Sequence, residues 1–295
     1  MRKLPARFIC YVLLLFLIIQ KPLSHADELL PEAVEDDIRV VSFNIRNGKA
    51  EDGINHWDNR KDRVVEMMQS LNTDLFALQE VYPFQRDYLL EALPGFDSVG
   101  EGRDGEDSEA VNIFVSKARF NILDSGTFWL SNTPDEMSLT WYWWAYLYRI
   151  CTWVYLEDKN SGESFYLYNT HYDHFSSTAR ENSSKLILDK IAQRAEEKPY
   201  ILIGDFNAVS QEKPIQLLLN DPETVLIDSF EAYEGSDKSV GTFNGFQADN
   251  SKRIDFIFTS PQIRVKRMDI HQDKLDGFYP SDHFPVSADF SLPVR

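Results

Sequence analysis

Apolar runs in this chain repeatedly stop on a polar side chain that is costly to bury. Residues 200–209, YILIGDFNAV, lead from apolar residues into Gly204, Asp205, Phe206 and Asn207. VVSFN ends on Asn44, LFALQE on Glu80 and FYLYNTH on His171, while YPSDHFPV sets Asp282 and His283 just before an apolar strand. A short, wholly apolar run reads as a buried strand. Its polar end marks where that strand leaves the interior, so several such ends predict a sheet rim at which loops expose them. In an extended chain residues i and i+2 point the same way, so Asp205 and Asn207 project together while Phe206 turns to the opposite side.

The pattern between these runs supplies the rest of the architecture. Residues 38–47 read as a strand, 59–71 as an amphipathic helix and 74–81 as a second strand. FDSVG, AVNIFVS, FNILDSGTFWL, ICTWVYLED and SFYLYNTH follow as strand-like segments, with a turn signal at Asn160-Ser161-Gly162. A long helix is predicted over 178–196 with Leu186, Ile187 and Ile191 on its apolar side, then the 200–207 strand and a short helix near 214–220. RIDFIFTS, IRVKRMDIHQ and FPVSADFSL close the series as strands. Strands with interspersed helices predict an α/β fold, a two-sheet core covered by helices. No Gly-, Pro- or Ser-rich linker divides it, which predicts one domain over residues 27–295.

The N-terminus reads differently. Arg2, Lys3 and Arg7 precede the run FICYVLLLFLII, and SHA at 24–26 offers small residues at both recognition positions of a signal-peptidase cut. The run is shorter than the ~20 residues of a bilayer span. A signal peptide over residues 1–26 and export to the periplasm or medium are the expectation, with an uncleaved membrane anchor as the alternative. Cys10 would leave with the leader, so Cys151 would stand alone and no intramolecular disulfide could form. Charge argues against one class of partner: 47 Asp and Glu outnumber 30 Lys and Arg. A protein that holds long nucleic acid by broad electrostatics is basic, although a bound metal ion reverses the local sign at an acidic site.

Carboxylate and amide oxygens without cysteine are ligands for a hard cation such as Mg²⁺, which takes one or two carboxylates and completes its shell with water and substrate phosphate. Histidine beside carboxylate supplies a proton relay, or a cation facing developing negative charge. Metal, carboxylate base and histidine together describe phosphate-ester hydrolysis. Any one of these residues alone reads as a turn, a cap or a satisfied structural group; the set carries the inference.

SFNIRNG, LQEV, NTHYDH, GDFNA, GTF, RIDFIF and SDHFPV, in this order over residues 38–290, resemble the motif series of the endonuclease/exonuclease/phosphatase superfamily. The resemblance implies a four-layer αββα sandwich, two mixed sheets face to face with helices outside, and Mg²⁺ or Mn²⁺ as cofactor. It assigns Asn44 and Glu80 to the metal, with Asp282 as a further ligand or nearby carboxylate. It makes Asp205 the group that activates or orients the attacking water, and has Asn207 contact the phosphate or hold Asp205. His283 would face the scissile phosphate with Asp255 fixing its orientation and favouring the imidazolium, and His171 would be the second phosphate-contacting histidine with Glu109 as its carboxylate partner. Arg149 and Arg180 are candidates to meet substrate phosphate, with a surface salt bridge as the alternative for each. Asp173 and His174 read first as loop-stabilising groups, with lining the pocket as the alternative.

Two departures bear on substrate. Where secreted and CCR4-like relatives carry a stretch resembling W-D-A-A-x-P-R, this chain reads WWAYLYR, so Trp144 and Tyr148 replace the aspartate and the proline. For the aromatic segment TWYWWAYLYR, core packing is expected for most rings; a stacking platform for a base or sugar and an apolar contact with lipid are the alternatives. The inositol-phosphatase signatures resembling GDLNYR and PAWCDR are absent around Asp205 and Arg253. Phosphodiester hydrolysis in nucleic acid is the first expectation, with RVKRM at 264–268 the compact basic patch. Phospholipid headgroups or small phosphorylated metabolites are the alternative substrates, and a non-catalytic phosphate-ligand or protein-binding module the alternative of another class. No obligate protein partner is evident.

Overall fold

Strands that are apolar on both faces must be covered on both faces, and the computed structural model shows how. It describes residues 37–247 and 252–293, which fall within one compact unit, Asp36–Arg295. The leader expected over residues 1–26 lies outside the described residues.

The first half of the chain runs β1 (Ile38–Asn44), α1 (Trp57–Ser70), β2 (Leu75–Val81), α2 (Pro83–Ala92), β3 (Phe96–Val99), β4 (Ala110–Ser116) and β5 (Phe120–Trp129). The second runs β6 (Ile150–Asp158), β7 (Ser164–His171), α3 (Ser177–Ala192), β8 (Tyr200–Asp205), α4 (Lys213–Leu219), β9 (Ile227–Asp228), α5 (Ser229–Ala232), β10 (Asp255–Thr259), β11 (Arg264–Ile270) and β12 (Val286–Ser291). Two six-stranded sheets result, in the orders β11-β12-β1-β2-β4-β3 and β5-β6-β7-β8-β10-β9. Each is mixed: β1 pairs parallel with β2 and β7 with β8, and the flanking pairs are antiparallel.

Period-two alternation divides each strand between two cores. Val40, Leu75, Leu167, Ile201, Ile203 and Phe290 meet between the sheets. The alternate residues Val41, Phe43 and Phe76 pack under α1 against Val64, Met67 and Met68. On the other side Leu202, Phe256 and Phe258 pack with Ile187, Ile191 and Leu218 of α3 and α4. The four-layer αββα sandwich follows. Truncating a residue such as Ile201 to alanine would cost about 2–5 kcal/mol.

Along the inter-sheet face the side chains turn polar toward one rim. In β7 the series is Phe165, Leu167, Asn169, His171; in β8 it is Ile201, Ile203, Asp205. The buried amide of Gln79 donates to Asn169 Oδ1 at 2.8 Å, joining the sheets just beneath that rim. Gly204 lets β8 approach β7: its φ is +150°, and a Cβ there would meet Thr170 O at 2.0 Å.

Two expectations need correction. The long helix stops at Ala192 rather than 196, because Glu196 and Glu197 oppose the negative C-terminal end of the helix dipole and Pro199 disfavours helical geometry in the residue before it. The aromatic segment is not core. Trp141 is 79% exposed, Trp144 66% and Tyr146 67%, since a short 3₁₀ turn at Trp141–Trp143 and a loop, rather than a strand, occupy the space between β5 and β6. Among the described residues no helix is long and apolar enough to cross a membrane.

Candidate active site

Strand direction decides which residues meet. β1, β2, β7 and β8 arrive at the polar rim with their C-terminal ends, and their antiparallel partners β12, β4, β6 and β10 begin there. Asn44, Glu80, His171 and Asp205 therefore close the arriving strands. Glu109, Arg149, Asp255 and His283 stand at or just before the start of the departing ones. Register completes the row, with His171 opposite Asp205 and Asp205 opposite Asp255. Glu80 sits where the β2–β4 register slips and takes a φ of 63°, which re-aims its carboxylate.

Asp205 Oδ2 is the point of convergence. Asn44 Nδ2 donates to it at 3.1 Å, His171 Nε2 lies 3.4 Å away and His283 Nε2 3.7 Å. Its Oδ1 accepts from the backbone N–H of Asn207 at 2.9 Å. Asn207 leaves the extended path with a φ of 48°, and its side chain donates to Tyr172 O. It thus holds Asp205 through its backbone, while Phe206 packs into the core beneath α3. Burial raises the Asp205 carboxyl above its ordinary value, which suits a general base.

The two histidines differ in charge. His283 Nδ1 lies 2.9 Å from Asp255 Oδ2. Burial alone would favour the neutral ring, but Asp255 and then Asp205 outweigh it and raise His283 well above its ordinary value. His171 is pulled down to about 3, by burial first and then by Arg149. Arg149 Nη1 lies 2.9 Å from His171 Nδ1; a guanidinium only donates, so Nδ1 accepts and the proton resides on Nε2, facing Asp205.

On the other side of Asp205 lies the acidic wall. Glu80 accepts from Asn44 Nδ2 at 3.0 Å and from the Asn47 backbone at 2.6 Å. Asp282 is pushed up to about 6, by burial first and with Glu80 adding to it. These oxygen donors, without sulfur, fit a hard divalent cation. Asp205, Asp255 and His283 also bring potential ligand atoms within 4.8 Å of one another, and Asp255 Oδ1 is buried without a hydrogen-bond partner. A His283 protonated by its two carboxylates is a donor rather than a ligand, so the Glu80–Asp282 wall is the better cation seat. Asn44 is turned amide-first: its Oδ1 accepts from the Arg46 backbone, so here it joins Glu80 to Asp205.

These groups open into a cleft of about 650 Å³. Eight of the eleven residues expected from sequence line it; Asn44 and Asp255 lie directly behind Asp205 and His283, and Arg180 lies elsewhere. Arg180 Nη1 donates to Asp173 O at 3.0 Å and Nη2 to Glu212 at 3.2 Å, so it meets the cleft only through Glu212. Glu109 is also reassigned. It lies 3.6 Å from His171, beyond a hydrogen bond, and its carboxylate instead accepts from Arg103 at 3.0 Å and Arg149 at 3.3 Å. Asp173 does stabilise its loop, accepting from the Phe175 and Ser176 backbones. His174 meets the alternative expectation: it lines the cleft and pairs with Arg149 Nη2 at 3.2 Å.

Sequence reasoning passed over several contributors. Arg46, two residues past Asn44, pairs with Asp52 and places Nη1 3.5 Å from Asp282. Arg103, Lys252 and Phe243 line the cleft, and the Phe243 ring stands edge-on to His283 at 5.1 Å. Arg60, 1% exposed, donates to the carbonyls of Ile45, Arg46, Asn55 and Pro280, clamping the segments that follow Asn44 and precede Asp282. Position in the helix pattern gives Arg60 no mark; the GTF motif was the one signal for Phe243.

Comparison with known proteins agrees with this geometry. An endonuclease/exonuclease/phosphatase protein from Bacteroides vulgatus is 35% identical, with a TM-score of 0.81 over 87% of this chain and 99% of that one. A Bacteroides thetaiotaomicron mannosyl-6-phosphatase is 35% identical, with a TM-score of 0.78 over 86% of this chain and 100% of that one. An uncharacterized protein of Acanthamoeba polyphaga mimivirus is 26% identical over 58% of this chain and 67% of its own length. The family model described as Endonuclease/Exonuclease/phosphatase matches residues 41–283, from β1 to the histidine that faces Asp205, and the chain accordingly belongs to that family of phosphoester hydrolases.

Proposed function

We propose that the chain is a phosphoesterase dependent on Mg²⁺ or Mn²⁺, exported from the cytoplasm, that removes phosphate from a small phosphorylated saccharide. The observation that carries this reading is the convergence of Asn44, His171 and His283 on one oxygen of Asp205, with Arg149 behind one ring and Asp255 behind the other. Asp205 accepts the proton of the attacking water. His283, held by Asp255, faces the phosphate as a cation and stabilises charge developing on its oxygens. Arg149 and the Nε2–H of His171 orient the phosphate from the other side. Glu80 and Asp282 would hold the divalent cation, with Asn44 fixing Glu80. Bound there, the cation would supply charge neutralisation to the ester oxygens.

Saccharide displaces nucleic acid as the favoured substrate for three reasons. The cleft is of the size that suits a small molecule. The chain's net charge of −17 disfavours a long polyanion. A relative at 35% identity is a mannosyl-6-phosphatase. Hydrolysis should be measured with Mg²⁺ or Mn²⁺ on hexose 6-phosphates, glycerol phosphate, a bis-aryl phosphodiester, single-stranded DNA and sphingomyelin, with Asp205→Ala as the blank. A phosphosugar should show the highest kcat/KM. Preference for DNA or lipid would overturn the substrate while keeping the site. Export rests on the N-terminal sequence, and N-terminal sequencing of the protein secreted by its host should begin at Asp27.

A further inference from the structure

Beside the cleft, five large aromatic rings face solvent. Trp141, Tyr142, Trp144, Tyr146 and Phe175 are each at least half exposed, Trp141 most of all at 79%. Four of them form two pairs, Trp141 with Tyr142 at 5.8 Å between ring centroids and Tyr146 with Phe175 at 6.5 Å, and Trp144 lies between the pairs in the chain. Scattered single apolar residues on a surface need no explanation, but a contiguous patch marks an interaction site.

The rings are presented by a built loop. Ser176 Oγ donates to Trp143 O at 2.6 Å, tying the segment to the start of α3. Thr140 Oγ1 donates to Asn132 at its other end. Trp144 holds a φ of 57°, a left-handed conformation that a bulky residue adopts only when its surroundings impose it. The patch is also continuous with the site. Leu147 and His174, which follow Tyr146 and precede Phe175 in the chain, line the cleft. The His174 ring lies against Phe175 at 3.8 Å and pairs with Arg149.

Resting on the phosphosugar reading above, we propose that these rings form a stacking subsite for the neutral saccharide units that extend from the phosphorylated sugar. A ligand with its phosphate beside Arg149 and His171 runs outward past His174 onto Phe175 and Tyr146, and then onto the tryptophans. The chemistry of the patch selects the occupant. Residues 132–148 contain no Lys or Arg, and Lys190 of α3 beside them is paired with Asp135 at 2.6 Å, so a nucleic-acid strand would find no cation in this segment to neutralise its phosphates. An anionic membrane would lack the same cations. Planar Trp and Tyr faces suit the C–H face of a sugar ring, whose hydroxyls stay in water at its edges.

The test compares the wild-type chain with Trp141→Ala, Trp144→Ala and Tyr146→Ala, exposed positions whose truncation leaves the core intact. KM for a 6-phosphorylated mannose disaccharide or trisaccharide should rise about tenfold per stacked ring lost, while kcat/KM for glycerol phosphate stays unchanged. Tryptophan fluorescence titrated with the unphosphorylated oligosaccharide reads the subsite without catalysis. It should saturate in the wild type and lose that response in the Trp variants. Equal kinetics for all variants on long and short substrates, with no fluorescence response, would overturn the subsite. A saturable response in an enzyme that turns over no phosphosugar would sink the functional reading and leave the saccharide site standing. Binding to neutral phosphatidylcholine vesicles that the same variants abolish, without any saccharide response, would assign the rings to lipid and overturn the proposal.

Discussion

His171 and His283 come from opposite sheets and turn Nε2 toward the same oxygen of Asp205, at 3.4 and 3.7 Å, yet their surroundings drive one toward the neutral ring and the other toward the cation. Both are buried, so burial pushes each toward neutrality. The outcome differs because the group behind each ring differs. Arg149 behind His171 adds to burial and takes it down to about 3; Asp255 behind His283, with Asp205 in front, overrides burial. One side of the base is thereby a neutral hydrogen-bond donor and the other a cation. The lesson is that the partner one step behind the ring, rather than the ring, sets the role.

The harshest way to break that contrast is to remove the cationic side. His283→Ala and Asp205→Ala should each lower kcat by about a thousandfold or more, the scale of losing a positioned base or an electrostatic stabiliser, with circular dichroism unchanged. Asp255→Asn keeps the ring but loses the charge behind it, and should cost about 10–100-fold. Activity within tenfold of wild type in His283→Ala would collapse the comparison.

Acid stability reads the same contrast from the neutral side. His171 is depressed in the fold, so the unfolded chain takes up a proton at its ordinary 6.5 that the native site refuses until about 3. Native stability of the metal-free protein should therefore fall as pH drops through that window, by up to about 1.4 kcal/mol per pH unit from this group. His283 has the opposite sign: its raised value stabilises the fold at low pH and loses that effect as pH climbs through the folded value. Urea denaturation across pH should show a shallower acid slope in His171→Asn. An unchanged slope would mean that His171 is not held neutral.

How much of this was legible in the sequence follows from how local each feature is. Rim residues were legible because each ends or begins an apolar run, a signal contained in about six neighbouring residues. The sheets followed from the same runs, since burial on both faces leaves an uninterrupted apolar string. The charge of His283 was legible through the resemblance, which sets Asp255 behind it; the neutrality of His171 was not, because burial first, and then Arg149 across the β6–β7 pair, impose it. The reassignment of Glu109 has the same origin, two arginines that reach it from separate loops. Arg60 escaped notice because its partners are backbone carbonyls, which carry no sequence mark. The aromatic segment misled because composition was read as burial, whereas no strand pairing carries it inward.

Arg149 tests whether the group behind His171 matters as charge. Arg149→Met leaves burial and removes the guanidinium, so the imidazole should titrate higher than in the wild type while remaining below its ordinary value, a shift that NMR of the ring can follow. Losing the phosphate contact and leaving Glu109 without one of its two arginines should raise KM by about ten- to a hundredfold. A His171 titration unmoved by this change would leave burial alone as the cause, and the two histidines would then differ in Asp255 only.

The smallest effect should come from Arg180, which the sequence offered beside Arg149 as a candidate phosphate contact with a salt bridge as the alternative. It is 8% exposed and just as cationic, but its guanidinium bonds to the Asp173 carbonyl and to Glu212 and does not line the cleft. If position behind or within the cleft decides the role, Arg180→Gln should leave kcat/KM within about threefold and cost about 1–2 kcal/mol of stability through the lost loop contact. The loop it holds carries His174 and Phe175, so whatever change remains should appear as a modestly higher KM, larger for extended substrates than for glycerol phosphate. A large loss on glycerol phosphate would mean that Arg180 reaches the phosphate after all, and the distinction between the two arginines would fall.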